Sequence, residues 1–233
     1  MTAYFVTGTD TDAGKTLVAS GLLAQARRRG LTTLGLKPVA SGCDATAKGL
    51  RNIDALTLQA QSEPATPYAV INPYTYAPPI APHLAAKQVG ERPTVDALAD
   101  HAAGPLAEAR GLTLIEGAGG WRVPLNDDED LAGLALRLEL PVILVVGLKL
   151  GCLNHARLTV EAIRADGLRV AGWVGNLIDP EFSADEACYR DNLSTLERTL
   201  DAPCLGIVPR LAAETPDARA AAAADHLALP DDD

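Results

Sequence analysis

Short apolar runs recur along this chain, each followed by a longer segment whose apolar positions return with helical period. The runs predict strands at residues 4–7, 33–37, 112–116, 142–146, 170–176 and 204–208. The intervening segments predict helices at 15–29, 53–61, 94–109, 131–138, 154–166 and 184–200. Strand and helix in alternation imply repeated βα units. Most of the runs are apolar almost throughout, as strands are when both faces are covered. The expected fold is therefore α/β: a mostly parallel sheet flanked by helices on both faces. Two regions depart from the rhythm. Residues 64–82 are rich in proline and tyrosine and read as an ordered surface excursion. The stretch from Ala212 is alanine-rich and closes on Pro230-Asp231-Asp232-Asp233, whose last residues are expected to fray. No internal boundary is visible, so residues 1–233 read as a single domain.

Composition narrows the function. The formal net charge is −10, which disfavours a surface for nucleic acid or anionic lipid. A local cationic pocket remains compatible with it. Cys43, Cys152, Cys188 and Cys204 are scattered and form no CxxC pair, so neither structural zinc nor a disulfide framework is expected. Scattered thiols suit a reducing cytoplasm. Met1-Thr2-Ala3-Tyr4-Phe5 lacks the basic start of a signal peptide. The best apolar run, residues 141–150, is too short to span a membrane and contains Lys149.

Directly after the first predicted strand comes Gly8-Thr9-Asp10-Thr11-Asp12-Ala13-Gly14-Lys15-Thr16-Leu17, opening a helix. A triphosphate needs backbone N–H groups converging at a helix N-terminus, and small residues permit that approach. Lys15 is positioned to reach the β- and γ-phosphates, and the Thr16 hydroxyl to ligate Mg²⁺. The strict motif has glycine where this chain has Thr9. A P-loop NTPase type of fold follows.

The third predicted strand ends in Glu116-Gly117-Ala118-Gly119-Gly120. Ligands of parallel sheets gather at the carboxyl ends of strands. A carboxylate there can complete a Mg²⁺ shell with Thr16, and the glycines let backbone pass close to phosphates.

Further segments make the reading specific: Leu36-Lys37-Pro38-Val39-Ala40-Ser41-Gly42, Leu50-Arg51-Asn52-Ile53-Asp54-Ala55-Leu56, Asn72-Pro73-Tyr74-Thr75-Tyr76 with Ala81-Pro82-His83, and Lys149-Leu150-Gly151-Cys152-Leu153-Asn154-His155. With the phosphate loop and Glu116–Trp121, in this order, the chain closely resembles the dethiobiotin synthetase family from Tyr4 to about Leu211. The resemblance implies that 7,8-diaminononanoate, CO₂ and ATP give dethiobiotin, ADP and phosphate. One amine becomes a carbamate, the carbamate attacks the γ-phosphate, and the second amine closes the ureido ring.

Carbamate attack on phosphate brings two anions together, so cations must gather where they meet. Lys15, Lys37 and Mg²⁺ are the candidates. The topology is expected to set Lys37, at the end of the second strand, next to the phosphate loop. By resemblance Lys37 contacts the carbamate and the transferring phosphoryl, Ser41 touches the substrate, and Thr16, Asp54 and Glu116 hold the metal. Without the family, Asp54 reads as a first-turn helix acid. Asp12 is either a residue beside the ATP or a turn-stabilising aspartate. The substrate carboxylate is matched to the helix start Gly151-Cys152-Leu153-Asn154 and to Tyr189, supplied by the second subunit of a homodimer. Tyr189 reads equally well as an amphipathic helix residue. His83 and His155 are expected to be satisfied structural histidines.

At the adenine end the family's Asn-Asp appears as Asn176-Leu177, and its Ile-Pro-Trp type segment as Val208-Pro209-Arg210. Asn176 retains a base-edge partner, whereas the acid and the aromatic contact are replaced. Weaker discrimination between nucleotide bases is expected. Two rivals use related machinery. A partitioning or targeting ATPase carries a second lysine early in the loop, where this chain has Asp10. A cobyrinate-type amidoligase needs a glutaminase domain, for which no residues remain.

Overall fold

Alternation of side chains along each strand explains how the core divides. The computed structural model describes residues 2–230, so the expected fraying of residues 231–233 lies outside the described residues. On β1 (Thr2–Gly8), Phe5 faces one apolar cluster while Tyr4 and Val6 face another. Neighbouring strand residues point to opposite faces of a sheet, so the two clusters are its two coats.

The chain continues through α1 (Lys15–Arg28), β2 (Thr33–Leu36), β3 (Val39–Ala40), β4 (Asp44–Thr46), β5 (Gly49–Arg51) and α2 (Ile53–Ala60). Next come α3 (Tyr68–Ile71), β6 (Tyr74–Thr75), α4 (Pro82–Gln88), α5 (Val95–Ala107), β7 (Leu112–Glu116) and α6 (Ala132–Arg137). The remainder is β8 (Val142–Leu148), α7 (Cys152–Ala165), β9 (Val170–Leu177), α8 (Glu186–Leu200), β10 (Cys204–Val208) and α9 (Pro216–Ala224). A 3₁₀ turn, Pro180–Ser183, precedes α8.

Six strands form the central sheet in the order β10-β9-β8-β1-β7-β2, every pair parallel. The cluster containing Tyr4, Val6, Leu114, Ile143 and Val145 is covered by α1, through Val18, Leu22 and Leu23, and by Ala223 of α9. On the other face Phe5, Ile115, Leu144 and Val146 pack with Leu98 of α5, Leu134 of α6, Val160 of α7 and Leu196 of α8. This is the expected sheet flanked by helices on both faces.

Three local features differ from the expectation. The second strand stops at Leu36, because the Lys37 N–H leaves the sheet and donates to Ile71 O at 2.8 Å. Helix α7 begins at Cys152, with Gly151 at its N-cap in a left-handed conformation, φ 94°. The alanine-rich tail forms α9, begun by Thr215, whose side chain accepts from Ala218 N.

The excursion of residues 64–82 is ordered and reaches into the core: Ile71 and Tyr76 are buried. It holds α3 and β6, and its last residue, Pro82, begins α4.

Candidate active site

The carboxyl ends of β1, β7 and β2 converge on one cavity of about 530 Å³. From β1 the chain enters the glycine-bearing loop. Thr9 N donates to Val145 O at 2.9 Å, and Gly147 N donates to Thr9 Oγ1 at 3.2 Å. Thr9 thus ties the loop to β8, a bond that glycine could not make. Asp12 takes a positive φ of 61°, and Gly14 one of 94°. A Cβ on Gly14 would run into the Asn176 amide, so glycine is required there twice over. No side chain caps α1, which leaves its first N–H groups available to an anion.

Lys15 is buried and donates to Asp10 O at 3.2 Å. Asp10 is itself held: its carboxylate accepts from Thr11 N at 2.8 Å and from Lys149 Nζ at 3.1 Å. The Lys149 bond outweighs partial burial and draws the Asp10 carboxyl below its ordinary range.

Thr16 and Lys37 meet on a single carboxylate oxygen. Thr16 Oγ1 donates to Glu116 Oε1 at 2.9 Å, and Lys37 Nζ to the same atom at 2.6 Å. Lys37 Nζ also donates to Gly117 O at 2.9 Å and lies 3.3 Å from Asp54 Oδ2. Glu116 is only 1% exposed, and its Oε2 is buried with no hydrogen-bond partner among the described residues. An unpaired buried carboxylate oxygen is costly. Beside the Thr16 hydroxyl and the Asp54 carboxylate, it fits a hard cation that takes oxygen ligands. Among the described residues no group of three or more His, Cys, Asp or Glu forms a cage of its own. Two carboxylates and a hydroxyl would suit Mg²⁺, which takes few protein oxygens and keeps waters in its shell.

Burial works against the charge on Lys37, yet the Glu116 and Asp54 carboxylates outweigh it and raise its pKa above the usual lysine value. For Lys15, burial and the nearby Lys37 ammonium lower it. The two lysines line the same cavity. Strand β7 lies between β1 and β2, and Lys37 still lines one cavity with the phosphate loop. Lys37 joins the site by reaching across the end of β7.

A buttress holds Lys37 in place. Asn72 Nδ2 donates to Lys37 O at 2.6 Å, and Tyr68 OH donates to Asn72 Oδ1 at 2.9 Å while accepting from Asn52 N at 2.8 Å. Asn52 caps α2, accepting from Asp54 N and Ala55 N, and its Nδ2 donates to Ser41 O at 3.3 Å. The tyrosine-rich excursion therefore fixes the Lys37, Ser41 and Asp54 segments relative to one another.

Of the expected residues, the cavity gathers Asp12, Gly14, Lys15, Thr16 and Leu17 from the loop and α1. It also gathers Lys37, Ser41, Asp54, Glu116, Ala118 and Gly119. Ala13 is buried behind the loop, and its carbonyl accepts from Asn176 Nδ2 at 2.9 Å. Asn176, with buried Val208 and with Pro209 and Arg210, stands outside the cavity wall. Gly151, Cys152, Leu153, Asn154 and Tyr189 also lie outside it. Cys152 is buried, Asn154 is exposed, and the Tyr189 ring packs edge-on against Phe182 at 6.0 Å. His83 is not fully satisfied as expected: its Nδ1 is buried without a partner among the described residues. The wall includes residues the sequence did not single out, among them Ile53, Thr57, Pro216 and Arg219. Ile53 and Thr57 were legible only as the neighbours of Asp54; nothing local marked Arg219.

The sequence and the fold have counterparts among known proteins. A family model described as an AAA domain matches residues 2–218. The ATP-dependent dethiobiotin synthetase BioD of Chromohalobacter salexigens is 81% identical over 236 residues, covering 100% of both chains. Its counterpart from Cellvibrio japonicus is 57% identical, covering 97% of this chain and 96% of its own. Among solved structures, the MinC:MinD cell division complex of Aquifex aeolicus superposes with a TM-score of 0.58 at 13% identity, covering 91% of this chain and 83% of its own, a likeness of fold alone. The fold is that of P-loop NTPases, and by sequence the chain belongs to the dethiobiotin synthetase family of ligases.

Proposed function

We propose that the chain is an ATP- and Mg²⁺-dependent cyclo-ligase that converts 7,8-diaminononanoate and CO₂ to dethiobiotin, releasing ADP and phosphate. The observation that carries this reading is the convergence of Lys37 and Thr16 on Glu116 Oε1, with Lys15 in the same cavity. One substrate amine adds to CO₂ and loses a proton, giving a carbamate. A carbamate oxygen then attacks the γ-phosphorus and ADP leaves. The second amine attacks the carbonyl carbon of the mixed anhydride, expelling phosphate and closing the ring.

Lys15 and the first N–H groups of α1 bind the β- and γ-phosphates. Lys37, kept protonated by its two carboxylate neighbours, donates to the carbamate oxygen and the transferring phosphoryl, offsetting their repulsion. Ser41 orients the diamine from the same wall. Thr16, Asp54 and Glu116 would hold Mg²⁺, which supplies further charge neutralisation on the phosphates.

The start of α7 supports a homodimer. Leu150 is 91% exposed, and Asn154 is exposed beside it, away from this chain's own cavity. On our reading, Gly151–Asn154 and Tyr189 take the substrate carboxylate in a second copy's site. We assign the reaction to the cytoplasm, where Cys43, Cys152, Cys188 and Cys204 would remain free thiols; among the described residues no helix is long and apolar enough to cross a membrane.

Incubation of the protein with diaminononanoate, labelled bicarbonate and Mg·ATP tests the proposal. Labelled dethiobiotin, formed in step with ADP, is the expected product. ATP hydrolysis without incorporation of label would refute it.

A further inference from the structure

The cavity does not end at the phosphate loop. It continues along α1 past Leu17 and Ser20 to the C-terminal helix, where Pro216 and Arg219 complete its wall. Helix α9 is firmly docked there. Gly21 lacks the Cβ that would press on Ala223 and Leu227, so α9 lies close against α1. Arg28 donates to Asp225 Oδ1 at 2.7 Å and to Ala221 O at 2.8 Å, and Gln61 donates to Asp217 Oδ1 at 3.1 Å. Arg219 therefore stands on a fixed helix, and among the described residues no carboxylate pairs with its guanidinium.

Charge gives that arginine a task. Without it the wall sets Lys15 and Lys37 against Asp12, Asp54 and Glu116, a poor balance for a polyanion. With the β- and γ-phosphates at Lys15 and Thr16, the part of the cavity left for the rest of the nucleotide is lined by Leu17, Ser20 and Arg219. We propose that Arg219 is a nucleotide-binding residue whose guanidinium grips the α-phosphate from α9. The inference rests on the ATP reading above and adds a contact to it. A guanidinium fork suits two phosphate oxygens at once, which a lysine cannot match.

Titration calorimetry of the full chain with ATP, ADP and AMP, for the wild type, Arg219→Ala, Arg219→Lys and Lys15→Ala, tests it. Arg219→Ala is expected to weaken all three nucleotides about tenfold, as for a lost charge-assisted bond. Arg219→Lys recovers part of the loss, and Lys15→Ala weakens ATP and ADP far more than AMP. In steady-state assays Arg219→Ala raises the KM for ATP and leaves kcat near wild type. Thermal stability should not change, since Arg219 pairs with no carboxylate among the described residues. Affinities within about twofold of wild type for all three nucleotides would overturn the role. A loss confined to ATP would overturn its placement at the α-phosphate. A wild type that binds none of the three would sink the nucleotide reading itself.

Discussion

Lys37 and Glu116 form a buried ion pair, Nζ to Oε1 at 2.6 Å, across the ends of strands β2 and β7. Burial of two charges is expensive, and geometry this close repays it only when the remaining donors and acceptors are also served. Lys37 meets that condition through Asp54 and Gly117, whereas Glu116 retains one oxygen without a partner among the described residues. That unpaired oxygen is chemically suited to a hard cation.

The pair makes a prediction about stability. Lys37→Met strands a buried carboxylate and is expected to cost about 3–5 kcal/mol. Glu116→Gln should cost less, since Lys37 keeps Asp54 and the Gly117 carbonyl. The double variant should recover most of the Lys37→Met loss and yet remain inactive. Urea unfolding of all three checks this; losses that simply add would mean the two side chains are not coupled.

Acid sensitivity follows from Asp166 at the end of α7. Its carboxylate accepts from Trp121 Nε1 and from Arg122, each at 2.7 Å, tying the glycine loop after Glu116 to the helix. Burial pushes its pKa up, but the Arg122 and Trp121 bonds outweigh that and the net shift is downward. A carboxyl depressed in the folded state contributes stability above its unfolded value, about pH 4, and loses it as pH falls through the folded value. Asp166→Asn should therefore melt earlier than wild type at neutral pH, with the gap closing in acid. Melting curves across that range check it; a gap that widens in acid would contradict the assignment.

Base selectivity is expected to be loose. Asn176 has its Nδ2 on the Ala13 carbonyl, Leu177 offers no acid, and Arg210 offers no aromatic face. Turnover with ATP, GTP and CTP should be comparable in a direct assay. Strict preference for ATP would show that another residue reads the base.

Much of this site could be read along the chain because its signals are local. A glycine-bearing loop between the first strand and first helix, and a carboxylate closing an apolar strand, announce themselves within a few residues. Asp54 does not: a first-turn helix acid is commonplace, and what distinguishes it is a lysine 3.3 Å away from another strand end. The excursion of residues 64–82 was legible as ordered, but its work of clamping the Lys37 carbonyl through Asn72 and Tyr68 exists only in three dimensions. Helix α9 escaped because its buried positions are Ala220, Ala223 and Ala224. Such small residues give little apolar periodicity, and they matter only because Gly21 lets the helices approach.

The claim on which the rest depends is that Lys37 acts on the reacting groups and not on nucleotide binding. Lys37→Ala, checked by circular dichroism to be folded, should bind ATP with nearly wild-type affinity and lose most of its turnover to dethiobiotin. Near-normal turnover in that variant would contradict the account, as would a loss of ATP affinity large enough to explain the fall in rate.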